Sequence, residues 1–295
     1  MPSWEEFRPF IATGLALGGV YALSGVGLVV LYRTTGVLNL AFGAIGAMGA
    51  LIAWELINNQ GWDQYAAYAV CIGFGAVVTL FYGVVFGPPL ANRDPLVKAT
   101  ATLGLALTLL GAMSWIWSDK ARSMILPTSE ENFDVGDVLV NYTQVIGFAL
   151  GVVVTLVTTA FLRFTKIGTA MRALANDREI TAALGVPVRR VEAFAWLASG
   201  LLAGVAGLLL SNLVGLDANT LTFLVISGLA AALIARLQSL VVTLISGIVI
   251  GLVNALITPI LSISDYRDMT PFVLAVVALL WLSRHREVSI SRAAG

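Results

Sequence analysis

The sequence has one cysteine and one histidine, and only 12% of its 295 residues are charged. Each scarcity excludes something. Cys71 alone cannot build an internal disulfide or a CxxC metal or redox site, and its apolar surroundings make it a small packing residue. The single histidine, His285, lies in the basic tail Arg284-His285-Arg286, so no histidine metal cluster or proton relay can be assembled. No glycine-rich phosphate loop ending in Gly-Lys-Ser/Thr occurs, and the chain therefore does not hydrolyse ATP in the usual way by itself. Ionisable residues nearly avoid the long apolar runs. Glu55, Lys98, Glu192 and Asp217 all fall near run ends, where a long side chain reaches the interface. No deep carboxylate is placed to carry a proton, and no nucleophile and base are paired for covalent chemistry. No metal, cofactor or enzymatic activity is expected. The first residues, Met1-Pro2-Ser3-Trp4-Glu5-Glu6, are acidic where a signal peptide is basic, so the first apolar segment is expected to be retained.

What is present is hydrophobic. Apolar residues make up 58% of the chain, too many for a soluble domain to bury behind a polar exterior. A bilayer core about 30 Å thick takes roughly 20 helical residues. The runs at 10–31, 37–57, 66–87, 97–117, 144–162, 193–214, 221–235, 240–260 and 270–283 predict an all-α, polytopic transmembrane bundle of eight to nine spans, forming one domain over 1–295. The seventh and ninth runs are short, which leaves the count open. No nucleic-acid partner is expected; the net charge of zero says nothing either way, but the charges are not evenly spread.

If the loop around 163–192 is cytoplasmic and nine spans alternate, 13 of 17 Lys and Arg fall inside, with only five of 17 acids. That arrangement puts the N-terminus outside and the C-terminus inside. An outer loop at about 118–143 is acidic and fits either a cap over the bundle or a solvated connection. Five GxxxG patterns start at Gly14, Gly83, Gly147, Gly200 and Gly247. One glycine in ten gives about three of them by chance, so they add little.

Uncharged polar residues beside the apolar runs are candidates to line a hydrated path, Ser24, Thr100 and Thr102 among them. Asn39 stands close to Gly43, Gly46 and Gly49, and either lines such a path or hydrogen-bonds a neighbouring helix. The inner loop reads as a short bounded helix. Asn176 caps it with Glu179 three residues on, Gly185 takes the left-handed stop, and Pro187 forbids continuation. Its apolar stripe, Ile180, Ala183 and Leu184, is flanked by Arg172, Arg178 and Arg189-Arg190. The stripe suits a groove on a partner protein, and the basic flanks suit lipid headgroups equally well.

Three segments resemble the permease subunits of branched-chain amino-acid ABC importers, the LivH/LivM type. They are Tyr21 to Ala50 with Asn39 and Gly43, Thr100-Ala101-Thr102-Leu103-Gly104-Leu105, and Gly168 to Leu208 with Met171-Arg172-Ala173, Asn176-Asp177, Ala182 and Leu184-Gly185. The resemblance covers about a third of the chain. It implies a multi-pass subunit of a bacterial inner membrane that pairs with a second permease subunit, alike or different. Two cytoplasmic ATP-binding subunits would hydrolyse the ATP, and an extracytoplasmic binding protein would deliver substrate. Arg172, Asn176, Asp177, Glu179, Ile180, Ala182, Ala183, Leu184 and Gly185 would then belong to the loop that couples to the ATPases. After the sixth span the family has a Gly-Gly connection, where this chain has Ala235-Arg236-Leu237-Gln238-Ser239. The later path positions are therefore not carried over, and a different small polar solute such as urea or a short amide becomes an option. The alternative from another class is an ion-coupled carrier or channel acting alone.

Overall fold

The computed structural model describes residues 4–118, 120, 122–135, 138–260, 269–278 and 280. Apolar runs become helices because a backbone in lipid must satisfy its own N–H and C=O groups. The chain opens with α1 (Trp4–Thr35), α2 (Phe42–Asn58), α3 (Gln64–Val85), the single turn α4 (Gly87–Leu90) and α5 (Pro95–Trp117). The outer loop holds α6 (Pro127–Glu130) and an antiparallel hairpin of β1 (Asn132–Val135) and β2 (Val138–Asn141), with Phe133 opposite Val140. Next come α7 (Tyr142–Phe164), α8 (Lys166–Asn176), α9 (Arg178–Ala183) and α10 (Val188–Leu213). The described helices end with α11 (Ala218–Phe223), α12 (Val225–Ile234) and α13 (Leu240–Ile257), and residues 270–278 are also helical.

Among the described residues, six helical segments are long and apolar enough to cross a membrane: Phe7–Thr35, Gln64–Val85, Pro95–Trp117, Tyr142–Phe164, Val188–Leu213 and Leu240–Ile257. Two shorter apolar helices, Phe42–Asn58 and Ala218–Ile234, accompany them. The second expected span loses its first residues because 37–41 turn instead of coiling, and the seventh is divided at Leu224. The ninth expected span, 270–283, lies partly outside the described residues.

Helix α1 is the central post: 94% of its apolar window is buried, against 22% for α5 and for α7. It packs against α13, α7, α10 and α12, while α10 in turn packs against α3 and α2. Four of the five GxxxG patterns make these contacts, so the chance argument undervalued them. A Cβ on Gly18 would lie 2.6 Å from the α13 backbone at Ile248, and one on Gly151 would lie 2.7 Å from Gly19. A Cβ on Gly204 would lie 2.7 Å from the α3 backbone at Ile72. Lipid tails are as apolar as leucine, so helices in a bilayer associate by close packing, and small residues allow it.

The outer loop is a packed cap. Arg122 and Leu216 exchange two backbone hydrogen bonds of 3.0 Å, and Asn212 donates from Nδ2 to Met124 O at 2.9 Å. The Arg122 guanidinium sits 5.0 Å from the Trp54 ring centre and donates to the Trp117 carbonyl. The all-α expectation missed this hairpin, although Val135-Gly136-Asp137-Val138 carries a two-residue turn signal between β-branched residues.

Candidate functional site

The inner loop is built from two helices. Thr165 caps α8 by accepting the Gly168 N–H at 3.0 Å, and Met171 and Leu174 bury one face of that helix. Because α8 continues through Asn176, the expected cap at that residue is not made. Asp177 takes the role for α9, its Oδ1 accepting the Ile180 N–H at 2.9 Å. The reason is backbone conformation: Asn176 is still helical, whereas Asp177 at φ −153° and ψ 114° has the extended geometry that a cap requires. Glu179 remains exposed in the first turn, where a carboxylate favours the helix dipole.

The stop is a Schellman closure. Gly185 N–H donates to Ala182 O at 3.0 Å and Val186 N–H to Thr181 O at 3.4 Å, with Gly185 at φ +82°. Thr181 faces inward and is buried, which turns Ile180, Ala182, Ala183 and Leu184 outward. Ile180 is 60% exposed and Leu184 78%. Arg172 is exposed beside this stripe, and Arg178 reaches back to Glu192 with Nε to Oε1 at 3.0 Å.

A Cβ on Gly185 would meet nothing within 4 Å, so any cost of substitution comes from the left-handed backbone alone. Gly185→Val is expected to destabilise the α9 stop by about 1–2 kcal/mol. Limited proteolysis of the purified chain should cut the inner loop several-fold faster at equal protein level. Gly185→Asn, which tolerates this conformation, should stay close to wild type.

The candidate path residues separate into two groups. Ser24 is buried and donates to Val20 O at 3.0 Å. It lines a cavity of about 10 Å³ with Gly43, Gly46, Ala203, Gly207 and Val225, room for one water at most. Gly43 packs against the Thr222 carbonyl and the Val225 side chain. Asn39 is 1% exposed, and its Oδ1 accepts the Ala41 N–H at 3.1 Å. It therefore shapes the turn before α2, a role not expected for it, and its Nδ2 has no hydrogen-bond partner among the described residues.

Thr102 is a latch that went unanticipated. Its Oγ1 donates to Leu38 O at 2.8 Å and accepts the Leu40 N–H at 3.1 Å, tying α5 to the turn between α1 and α2. Thr100 lies on the opposite, open face of α5 with Thr108, Gly104 and Gly111. Both threonines donate to the carbonyl four residues back, Thr100 to Leu96 and Thr108 to Gly104, each at 2.8 Å. A Cβ on Gly104 or Gly111 would meet nothing within 4 Å, unlike the packing glycines of α1 and α10.

The connection that departs from the family's glycines keeps glycine-like geometry. Arg236 and Leu237 both have φ +55°, closed by Leu237 N–H to Ala232 O at 2.8 Å. The Arg33 Nη1 donor to Gln238 O, 2.9 Å, holds this turn against the end of α1.

Comparison with known proteins adds a family. Residues 10–281 match the model for branched-chain amino acid transport system permease components. A high-affinity branched-chain amino acid permease, BraD of Pseudomonas aeruginosa, is 28% identical over 227 residues, covering 70% of this chain and 72% of that one. The LivH permease of Escherichia coli K12 is 27% identical over 228 residues, 69% and 71% of the two chains. The fructose import permease FruG of Bifidobacterium longum is 25% identical over 183 residues, 59% and 51%.

Proposed function

The chain belongs to the family of branched-chain amino acid transport system permease components, and we propose from that premise that it forms half of the translocation path of a binding-protein-dependent importer. Two ATP-binding subunits drive it from the cytoplasm, and a second permease subunit, alike or different, completes the path. The chain is a multi-pass membrane protein, here assigned to a bacterial inner membrane. Counting the two shorter apolar helices and the helical stretch at 270–278 with the six long ones gives nine crossings, with the N-terminus outside. The charge sorting supports this orientation, as does the gathering of Arg33, Lys98, Arg178 and Gln238 at one end of the bundle.

The observation that carries the reading is α9: a helix closed at both ends that leaves Ile180 and Leu184 exposed. A fold spends a cap and a Schellman stop on so short an element when its outer face has a use. An ATPase groove covers such a stripe. ATP-driven closure would then move the helix as a lever and rock the bundle about the path.

Because the cavity beside Ser24 and Gly43 admits no more than a water, the path is assigned to the open face of α5, between this chain and the second permease. Thr100, Gly104, Thr108 and Gly111 line it, with their hydroxyls already satisfied and their small side chains leaving room. Branched-chain amino acids are the substrates named for BraD and LivH and are the first candidates here. A related small polar solute is the second, since FruG is named for fructose.

The test is purification of the tagged chain with its co-expressed ATPase and permease partners, followed by reconstitution with ATP inside the vesicles and the binding protein outside. Labelled leucine, isoleucine or valine should enter only when ATP and the binding protein are both present. Uptake driven by an ion gradient without ATP would instead establish the self-sufficient carrier.

A further inference from the structure

Helix α1 is buried along most of its length, but its first turns are not. Arg8, Ile11, Ala12 and Leu15, spaced to share one face, are all half-buried. They form one wall of a groove of about 420 Å³, and Val145 and Phe148 of α7 form the other. The β-hairpin closes the groove. Its register places Asp134 opposite Leu139, both exposed, so the alternating pleat turns Phe133, Val138 and Val140 inward to the groove. Gln144 is the polar residue of the α7 wall, and it is already engaged. Its Nε2 donates to Thr13 Oγ1 at 3.1 Å, and its Oε1 accepts the Asn141 N–H at 3.3 Å. Among the described residues that line the groove, Arg8 alone is charged.

Both walls belong to membrane-crossing helices, and Arg8 stands beside Phe7, where the first crossing segment begins. From Arg8 to Leu15 the helix rises about 10 Å, which stays within the roughly 15 Å of hydrocarbon in one leaflet. The groove thus starts at headgroup level with a cation and continues into the bilayer as apolar surface. A helix of another chain does not fit inside it, because 10 Å of a rod about 10 Å across occupies roughly 800 Å³, nearly twice the space. A hydrocarbon tail is slimmer and matches the apolar walls. An anionic headgroup matches the guanidinium, whose five N–H donors allow it to hold a phosphate beside other acceptors. We propose that this groove binds one anionic phospholipid of the leaflet on the hairpin's side, with its phosphate on Arg8 and an acyl chain along Ile11, Leu15 and Phe148. The lipid touches the hairpin as well as both helices, and so seats the outer cap on the bundle.

The probe is phosphatidylglycerol, titrated against phosphatidylcholine into the detergent-purified full chain. Bound lipid is counted by native mass spectrometry, and proteolytic cleavage of the hairpin is followed in parallel. Wild type should retain phosphatidylglycerol about tenfold better than phosphatidylcholine, and the bound lipid should slow cleavage of the hairpin. Arg8→Gln should erase that preference, whereas Arg8→Lys, which keeps the charge, should preserve most of it. Ala12→Phe fills the groove from its wall and should lower retention of both lipids. If Ala12→Phe does not accumulate, Val145→Trp is read in its place. Equal retention of phosphatidylglycerol by wild type, Arg8→Gln and the groove-filling variant would overturn the site. A full-yield crosslink from Val145→Cys to the second permease in the assembled transporter would also overturn it, since protein would then cover the groove. Cys71, the native cysteine, is buried and keeps that label specific.

Discussion

Gly207→Leu should leave no folded protein in the membrane. A Cβ on Gly207 would lie 2.7 Å from the Gly46 Cα, and the Gly46 carbonyl would be closer still. The obstruction is backbone on both sides, so no side chain can swing away. Helix α10 must separate from α2, and that interface adjoins the contact of α10 with α1. Overpacking typically costs 1–3 kcal/mol, but a clash between two backbones belongs with the exceptional losses of about 4 kcal/mol or more. Against a total stability of roughly 5–15 kcal/mol, such a loss depletes the folded population heavily. The measurement is the monodisperse fraction of the tagged chain after detergent extraction. Gly104→Leu is the control, because a Cβ there meets nothing within 4 Å, and it should extract like wild type. Comparable recovery of Gly207→Leu would mean that the α2–α10 approach is looser than described.

Ile180→Asp with Leu184→Asp should abolish uptake while leaving the chain itself intact. Both side chains are exposed, so folding loses nothing that they bury. Covering a large aliphatic side chain is worth about 1.5–3 kcal/mol. For two, partly exposed at the outset, docking loses about 3–5 kcal/mol, or roughly a hundred- to several-thousand-fold in affinity. Two added carboxylates within an apolar groove deepen the loss. ATPase recovery and uptake should both fall to background at normal membrane level. The companion variant, Ile180→Lys with Leu184→Lys, decides the rival role of the stripe. A helix lying on anionic headgroups tolerates added lysines, so retained ATPase recovery in that variant would assign the stripe to lipid.

Much of this architecture was legible from apolar runs and end signals. The short inner helix was readable because its limits are local. Gly185 and Pro187 mark a stop through backbone geometry confined to a few residues, and the structure places Gly185 at φ +82° accordingly. The cap slipped by one residue, from Asn176 to Asp177, because both residue types cap equally well and the choice depended on where α8 ended. Helix α8 itself was missed, although Met171 and Leu174 are spaced for a buried face. The surrounding charges made that stretch read as a loop.

Asn39, Lys98 and Thr102 show where such reading ends. Each looked like a polar residue near an apolar run, and although glycines beside Asn39 drew attention to it, nothing nearby in the chain announced the role that each one takes. Asn39 became a turn former, Thr102 a latch reaching more than sixty positions back, and Lys98 a buried cation at the end of another helix. By itself the sequence determined that the chain enters the membrane many times, which end of each run is charged, and where the short inner helix stops. These follow from hydropathy and from backbone rules acting over a few residues. Tertiary structure alone decided that α1 is the post, that the glycine pairs of α10 meet α2 and α3, and that α5 keeps an open face. Lipid-facing and protein-facing surfaces are equally apolar, so hydropathy cannot rank them, and the contact is settled by which backbones approach closely enough to touch.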